Sequence, residues 1–160
     1  EHALRLDRLP ASAIVLGGGV IGVEFASAWR SFGVQVTVVE ALPRLVSGED
    51  QSISAALERA FRKRKINVIT EVAMSACRPT DSGVRVELAN GQLLEAEIML
   101  VAVGRGPQTA DLGYQEAGVD LEDGFVTVTE RLETSIPEVY ALGDVVGGLQ
   151  LAHRAKYGHP

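Results

Sequence analysis

The stretch Ala13-Ile14-Val15-Leu16-Gly17-Gly18-Gly19-Val20-Ile21-Gly22-Val23-Glu24 decides the fold. A short apolar run enters Gly-x-Gly-x-x-Gly (Gly17, Gly19, Gly22), and an amphipathic segment follows it. A second apolar run, 34–39, ends at Glu40, 18 residues beyond Gly22. The order is strand, glycine turn, helix, strand, acid. Each part has a physical use in holding a dinucleotide. Gly17 permits the tight turn, Gly19 lets backbone approach a pyrophosphate, and Gly22 lets the helix pack close to the strand. The helix start offers free N–H groups and the positive end of a dipole to the phosphates. At the carboxyl end of the second strand, Glu40 can accept hydrogen bonds from a ribose 2′-hydroxyl and repel a 2′-phosphate, which favours NAD over NADP. Ala26 is a further small residue where helix meets sheet. Arg44 has two readings. It could accommodate a 2′-phosphate, or it is an ordinary loop residue after Pro43, and the second is preferred.

Composition sets the outer bounds. At 160 residues the chain can bury about 70% of the surface its unfolded form exposes. Hydrophobic residues make up 46% and charged residues 22%, an ordinary globular balance. A net charge of −6 argues against nucleic acid as a partner. The one cysteine, Cys77, rules out an internal disulfide and a cysteine-based zinc site, and no metal site is expected. It reads as a buried strand residue. No apolar run approaches the roughly 20 residues that cross a bilayer. A cytoplasmic location without membrane contact is the expectation. The chain lacks a starting methionine and stops just after a helix onset, so it reads as part of a longer polypeptide.

The rest of the chain extends the pattern to an α/β, Rossmann-like doubly wound parallel sheet with an antiparallel crossover hairpin or meander. Residues 1–9 read as a lead-in segment ending at Pro10, 13–16 as the first parallel strand, and 34–39 as the second. The first helix is expected over 20–32, with Ile21, Phe25, Ala28, Trp29 and Phe32 inward and Gly33 after its end. A second helix, 50–65, turns Ile53, Ala56, Leu57, Ala60 and Phe61 inward. Its closing Arg62-Lys63-Arg64-Lys65 is read as a solvated face that suits the helix dipole rather than as an anion site. Short strands are expected at 67–69 and 72–77. The segment 83–88 alternates and meets Asn90-Gly91, a type I′ hairpin signal, with 92–96 returning. The apolar run 98–103 reads as another central parallel strand. It delivers Gly104-Arg105-Gly106-Pro107 to the carboxyl edge of the sheet, where open α/β sheets bind ligands. Strands at 125–129 and 139–142 complete the reading.

A nucleotide domain alone does not account for Thr134-Ser135-Ile136-Pro137-Glu138-Val139-Tyr140-Ala141-Leu142-Gly143-Asp144. A polar turn, a strand and a Gly-Asp end present a carboxylate, although Gly-Asp by itself could be a turn or a helix N-cap. Here the chain resembles the flavin-dependent pyridine nucleotide–disulfide oxidoreductases. Their T-x-x-P-x-V-Y-A-x-G-D pattern is an FAD signature, and Val103-Gly104-Arg105-Gly106-Pro107 looks like their V-G-R-x-P turn. Leu151-Ala152-His153-Arg154-Ala155 and Ala41-Leu42-Pro43-Arg44-Leu45-Val46 resemble the dihydrolipoamide dehydrogenase branch, and mercuric reductases share much of this. The likeness covers nearly the whole chain.

The resemblance implies roles. Gly17, Gly18, Gly19, Gly22 and Val23 would line the NAD pyrophosphate, with Val20 and Ile21 near the nicotinamide. Glu24 would face the flavin and pair with a lysine of the FAD domain; read from residues alone, it is a first-turn acid of the helix. Glu40 would bind the adenosine ribose, Val72 the adenine end through its backbone, and Gly104 the NAD ribose. Asp144 would bind the ribityl chain, and Gln150, Leu151, Ala152 and His153 would approach FAD. His153 is otherwise a capping or packing histidine and is not taken as a catalytic base. The resemblance makes 1–142 an NAD(P)-binding domain and 143–160 the start of a return into an FAD domain. The expected partners are NAD(H), FAD, and the FAD and dimerisation domains of the same chain, in a homodimer. The full enzyme would pass dithiol electrons through an active-site disulfide and FAD to NAD⁺. The family's redox C-x-x-x-x-C pair is not in this sequence, nor is its catalytic histidine in an H-P-T context, so turnover is not expected from this stretch alone. A flavin-free dehydrogenase domain and a nucleotide-sensing module are the rival readings. The true dithiol or disulfide substrate stays open.

Overall fold

A computed structural model describes residues 2–148 and 150–157, with the backbone alone for His2, His153, Arg154 and Tyr157. The chain divides into two compact units, 1–104 and 105–160. The first holds a four-stranded parallel sheet. Its strands are β1 (Ser12–Leu16), β2 (Gln35–Val39), β3 (Asn67–Ile69) and, later in the chain, Ile98–Val101, arranged β3-β2-β1 and then that last strand beside β1. Two helices follow β1 and β2: α1 (Val20–Ser31) and α2 (Gln51–Lys63). Between β3 and the last parallel strand the chain inserts an antiparallel meander, β4 (Met74–Thr80), β5 (Gly83–Leu88) and β6 (Leu93–Ala96), so Ile98–Val101 is β7. The mixed α/β fold is the one the sequence pattern implies.

Strand alternation builds a core on each face of the parallel sheet. Ala13, Val15, Val36 and Val38 join Val23, Ala26, Trp29 and Phe61 of the helices. Ile14 and Val39 point the other way and meet Val86, Leu88 and Ala96 of the meander. The sheet is therefore covered by helices on one side and by β4-β5-β6 on the other. Burying a valine such as Val15 or Val38 contributes about 1.5–3 kcal/mol. Both helices end in the same two-bond motif. In α1, Gly33 donates to Arg30 and Val34 to Trp29. In α2, Lys65 donates to Arg62 and Ile66 to Phe61. Lys65 takes φ 60° there, without the glycine that sequence reading looks for. The basic run at this helix end is partly structural. Arg64 donates to the Ser27 hydroxyl (2.6 Å), the Ser27 carbonyl (2.8 Å) and the Ser31 hydroxyl (2.8 Å). Arg30 donates back to the Arg64 carbonyl (2.8 Å). Asp50 caps α2 by accepting from the Ser52 N–H at 2.8 Å, and the Ser52 backbone and hydroxyl hold its carboxyl below the usual range. At the other end of the unit, Glu97 accepts from Arg8 and from the Ala11 N–H, which ties down the lead-in segment and lowers its pKa, chiefly through Arg8.

Several local expectations are corrected. In α1 the buried positions are Gly22, Val23, Ala26 and Trp29, while Ile21, Ala28 and Phe32 are exposed. The need for a glycine contact at residue 22 rotates the inward face. In α2 the inward face is Ser54, Leu57 and Phe61, while Ile53, Ala56 and Ala60 are exposed. Strand β4 begins at Met74 after Val72, with a bulge before Ala76. Cys77 is exposed, because β4 is the outer strand of the meander and the core lies under β5 and β6. The 88–92 hairpin closes through three loop residues. Gly91 donates to Leu88, Leu88 donates to Gln92, and of the two expected positions only Gly91 has positive φ (82°). This is a type I turn followed by a left-handed residue. Strand β7 stops at Val101 and is an edge of the sheet, so Val101 and Val103 are exposed.

The second unit is sparser. A hairpin of β8 (Leu121–Glu122) and β9 (Phe125–Val126) turns on Asp123 (φ 50°) and Gly124 (φ 83°). This type I′ signature was not recognised in the sequence. The expected strand 125–129 is only two residues long, and 139–142 forms one isolated bridge, Glu133 to Tyr140. Extended apolar chain becomes a strand only beside a partner, and these segments have little. A 3-10 turn, Gly143–Val146, and the short helix α3 (Ala152–Tyr157) follow. Among the described residues no helix is long and apolar enough to cross a membrane.

Candidate functional site

The glycine turn lies at the carboxyl edge of the parallel sheet. Gly17 has φ 108°, and a Cβ there would sit 2.3 Å from the Ala102 carbonyl oxygen. A Cβ on Gly22 would sit 1.9 Å from the Gly17 carbonyl oxygen. Both positions therefore demand glycine, one for backbone angle and one for close approach. Gly19 is different: a Cβ there would meet nothing within 4 Å. Its free side is open space at the start of α1, where it is the N-cap and supplies no side-chain hydrogen bond to the helix. The sequence thus builds a close-packed turn with one open face above an uncapped helix start. That is the geometry a phosphate requires. Val20 and Ile21 are exposed beside it, Val23 is buried, and Glu24 is exposed. The first turn of α1 carries no acid, so Glu24 is not the first-turn acid that the sequence alone allowed.

Glu40 follows β2 directly, on the same edge. Its carboxylate accepts from the Gly18 N–H (2.5 Å) and the Leu42 N–H (2.8 Å). Val72 joins it through the backbone, donating to the Glu40 carbonyl at 3.3 Å. Gly104, φ 148°, lies two residues beyond Ala102, which packs against Gly17. The structure thus brings Gly17, Gly18, Gly19, Glu40 and Val72 into one region.

Sequence reading missed two contributors, Leu45 and Val46. Leu45 is fully buried, and its Cδ2 would lie 2.6 Å from a Cβ on Gly18. Val46 donates to the Gly18 carbonyl at 2.8 Å. The available signal was an apolar pair, Leu45-Val46, in a loop that otherwise carries Arg44, Ser47 and Gly48 after Pro43. Arg44 is a loop anchor: Nη1 donates to the Glu49 carbonyl (2.7 Å) and the Ser54 hydroxyl (3.0 Å), and Nη2 to the Ser47 carbonyl (2.8 Å). An open cavity of about 400 Å³ borders Ser12, Gln35 and Asn67 at the opposite, amino edge of the sheet, away from the glycine turn.

In the second unit, Thr134 is buried and closes its own turn. Its N–H donates to the Val139 carbonyl (2.8 Å), and its hydroxyl accepts from the Ile136 N–H (3.2 Å). Ser135 donates to the Gly118 carbonyl and accepts from the Asp120 N–H, both at 2.9 Å. Asp144, in the 3-10 turn, pairs with Arg105 (Nη2 to Oδ2, 3.4 Å), so the two motif turns meet through an ion pair open to solvent. Gly143 packs near Ala155 of α3. Gln150 is half-buried and Leu151 and Ala152 are exposed. The His153 side chain and residues 158–160 lie outside the described residues.

Comparison with known proteins identifies the family. The family model for the pyridine nucleotide-disulphide oxidoreductases matches residues 1–157. A dihydrolipoyl dehydrogenase of Geobacillus stearothermophilus is 35% identical over 97% of this chain and 34% of its own length, and one of Bacillus subtilis is 38% identical over 98% and 34%. Among solved structures, the HOCl-induced flavoprotein disulfide reductase RclA of Escherichia coli superposes with a TM-score of 0.89 at 35% identity, covering 95% of this chain and 35% of that one. LpdA of Mycobacterium tuberculosis gives 0.86 at 34%, covering 94% and 33%. The chain spans about a third of the length of these relatives. It is a member of the pyridine nucleotide-disulphide oxidoreductase family.

Proposed function

We propose that residues 1–142 are the NAD-binding domain of a dihydrolipoamide dehydrogenase-like flavoenzyme and that 143–160 begin a return into its FAD domain. The observation that carries this reading is the glycine turn, closed by packing at Gly17 and Gly22 and open only at Gly19, over an uncapped helix start. Bound nicotinamide and flavin would supply the hydride and electron chemistry. The residues of this chain bind and orient. Gly17, Gly18, Gly19, Gly22 and Val23 hold the pyrophosphate, Val20 and Ile21 flank the nicotinamide, and Glu40, Val72 and Gly104 hold the ribose and adenine side. Glu24 faces the flavin. Asp144, with Gln150, Leu151, Ala152 and His153, belongs to the FAD side. In the full enzyme, a homodimer, a dithiol would be oxidised with NAD⁺ as final acceptor. Cys77 is the one cysteine here and lies exposed on β4, so this stretch carries no redox cysteine pair; on this reading its part is to hold coenzyme, not to turn over a dithiol by itself.

Selection of NAD is supported by two features. Glu40 places a carboxylate where a 2′-phosphate would sit. Arg44, the nearby cation that could offset it, spends both terminal nitrogens on its own loop and on Ser54 of α2. Titration of the protein with NADH and NADPH tests this: NADH binds at least tenfold tighter, and equal or reversed affinities refute the reading. The likeness to RclA favours a second reading of the same site, as the coenzyme domain of a flavoprotein disulfide reductase in which electrons flow from the nicotinamide to a disulfide.

A further inference from the structure

Glu40 has more to hold than a ribose. Its carboxylate is fixed by two backbone donors, Gly18 N–H at 2.5 Å and Leu42 N–H at 2.8 Å, one on each oxygen. Its own backbone is fixed from a third direction, donating to the Ile69 carbonyl (2.8 Å) and accepting from Val72 (3.3 Å). The Gly18 peptide is gripped on both sides: its N–H goes to Glu40, its carbonyl takes the Val46 N–H, and Leu45 fills the space where a side chain would be. Residue 18 lies inside the phosphate turn, between the two glycines that shape it. A carboxylate has about four lone-pair positions and these two bonds use two of them. One position per oxygen remains, which matches the two hydroxyls of a ribose diol.

We propose that Glu40 both reads the ribose and buttresses the phosphate turn, so that coenzyme choice and pyrophosphate affinity are coupled through one side chain. The proposal rests on the nucleotide reading above. Its consequence is that substitution at residue 40 does not simply exchange NADPH for NADH. It loosens the Gly18 peptide and weakens every ligand that uses the turn.

The test compares ADP with 2′,3′-dideoxy-ADP, which keeps the phosphates and lacks both ribose hydroxyls, on the native chain and on Glu40→Gln. The native chain prefers ADP. In Glu40→Gln that preference disappears, and affinity for dideoxy-ADP itself falls about tenfold, the scale of a lost charge-assisted hydrogen bond. The sign is diagnostic. Removing a negative charge beside an anionic ligand would by Coulomb's law tighten its binding, so weaker binding reports the shape of the turn. Unchanged or tighter dideoxy-ADP binding overturns the proposal. If neither nucleotide binds the native chain, the ribose role falls with the nucleotide reading, and the proposal with it. Amide hydrogen exchange without ligand decides the buttress separately. In the native chain the Gly18 N–H exchanges slowly and the Gly19 N–H quickly, and in Glu40→Gln the Gly18 N–H speeds up at least tenfold. Should Glu40→Gln not fold, native Gly18 exchanging as fast as Gly19 would still overturn the buttress.

Discussion

The two units spend their apolar residues differently. In the first, Val15, Val38 and Val39 lie in a parallel ladder with every strand registered against a neighbour, and both sheet faces are covered. In the second, strands shrink to two residues, and Val139, Tyr140 and Leu142 are exposed along a single bridge. Apolar runs of similar length thus end as core in one unit and as surface in the other. What separates them is a partner strand. Hydrophobicity drives burial, but backbone N–H and C=O groups must also be paired before a run can enter a core.

The largest test of this contrast is Phe61→Ala. Phe61 is 2% exposed and joins α2 to the core under β1 and β2. Its removal is expected to cost about 3–5 kcal/mol, read from denaturant unfolding, with loss of exchange protection at Val15 and Val38. If the loss is below about 1 kcal/mol, the helix-side core is not what stabilises the first unit.

The first unit was largely legible in the sequence because its signals are local and agree with one another. The apolar strands, the three glycines and Glu40 each point to the same turn. What was not legible depended on contacts far apart in the chain. The inward face of α1 is set by Gly22 against the Gly17 carbonyl: Ala26 and Trp29 are buried as the sequence suggests, but Val23 is buried where Ile21 and Ala28 were expected. Cys77 is exposed because its strand is outermost, which alternation cannot reveal. Asn90-Gly91 and Asp123-Gly124 are the same kind of turn signal, and only the second adopts the two-residue form. The site followed the same rule. The glycines and the acid that share this turn were legible from their spacing, while Leu45, Val46 and the anchoring of Arg44 emerge only when the loop is folded back on the turn.

The glycines of the turn sharpen the comparison at a smaller scale. Gly22→Ala forces a methyl to 1.9 Å from a backbone oxygen that cannot move aside. The expected loss is about 2–3 kcal/mol, the scale of an overpacked core. Gly19→Ala meets nothing within 4 Å and is expected to change stability by less than about 1 kcal/mol while weakening NADH binding. Thermal unfolding and NADH titration of both variants separate packing from ligand space. If Gly19→Ala leaves NADH affinity intact, the open side of Gly19 is not where the pyrophosphate lies.

The smallest effect is expected in the second unit. Arg105 and Asp144 stand 3.4 Å apart with more than a third of each side chain open to water. Water and salt screen such a pair, and exposed ion pairs contribute about 0–1 kcal/mol. Arg105→Ala should therefore leave unfolding of the chain within about 0.5 kcal/mol of the original, and added salt should shrink whatever difference there is. The same substitution leaves the Asp144 carboxylate without this cation. A loss of 2 kcal/mol or more would mean that the ion pair, despite its exposure, organises the turn from Gly143 to Val146. The second unit would then be held by electrostatics where the first is held by its two-faced core.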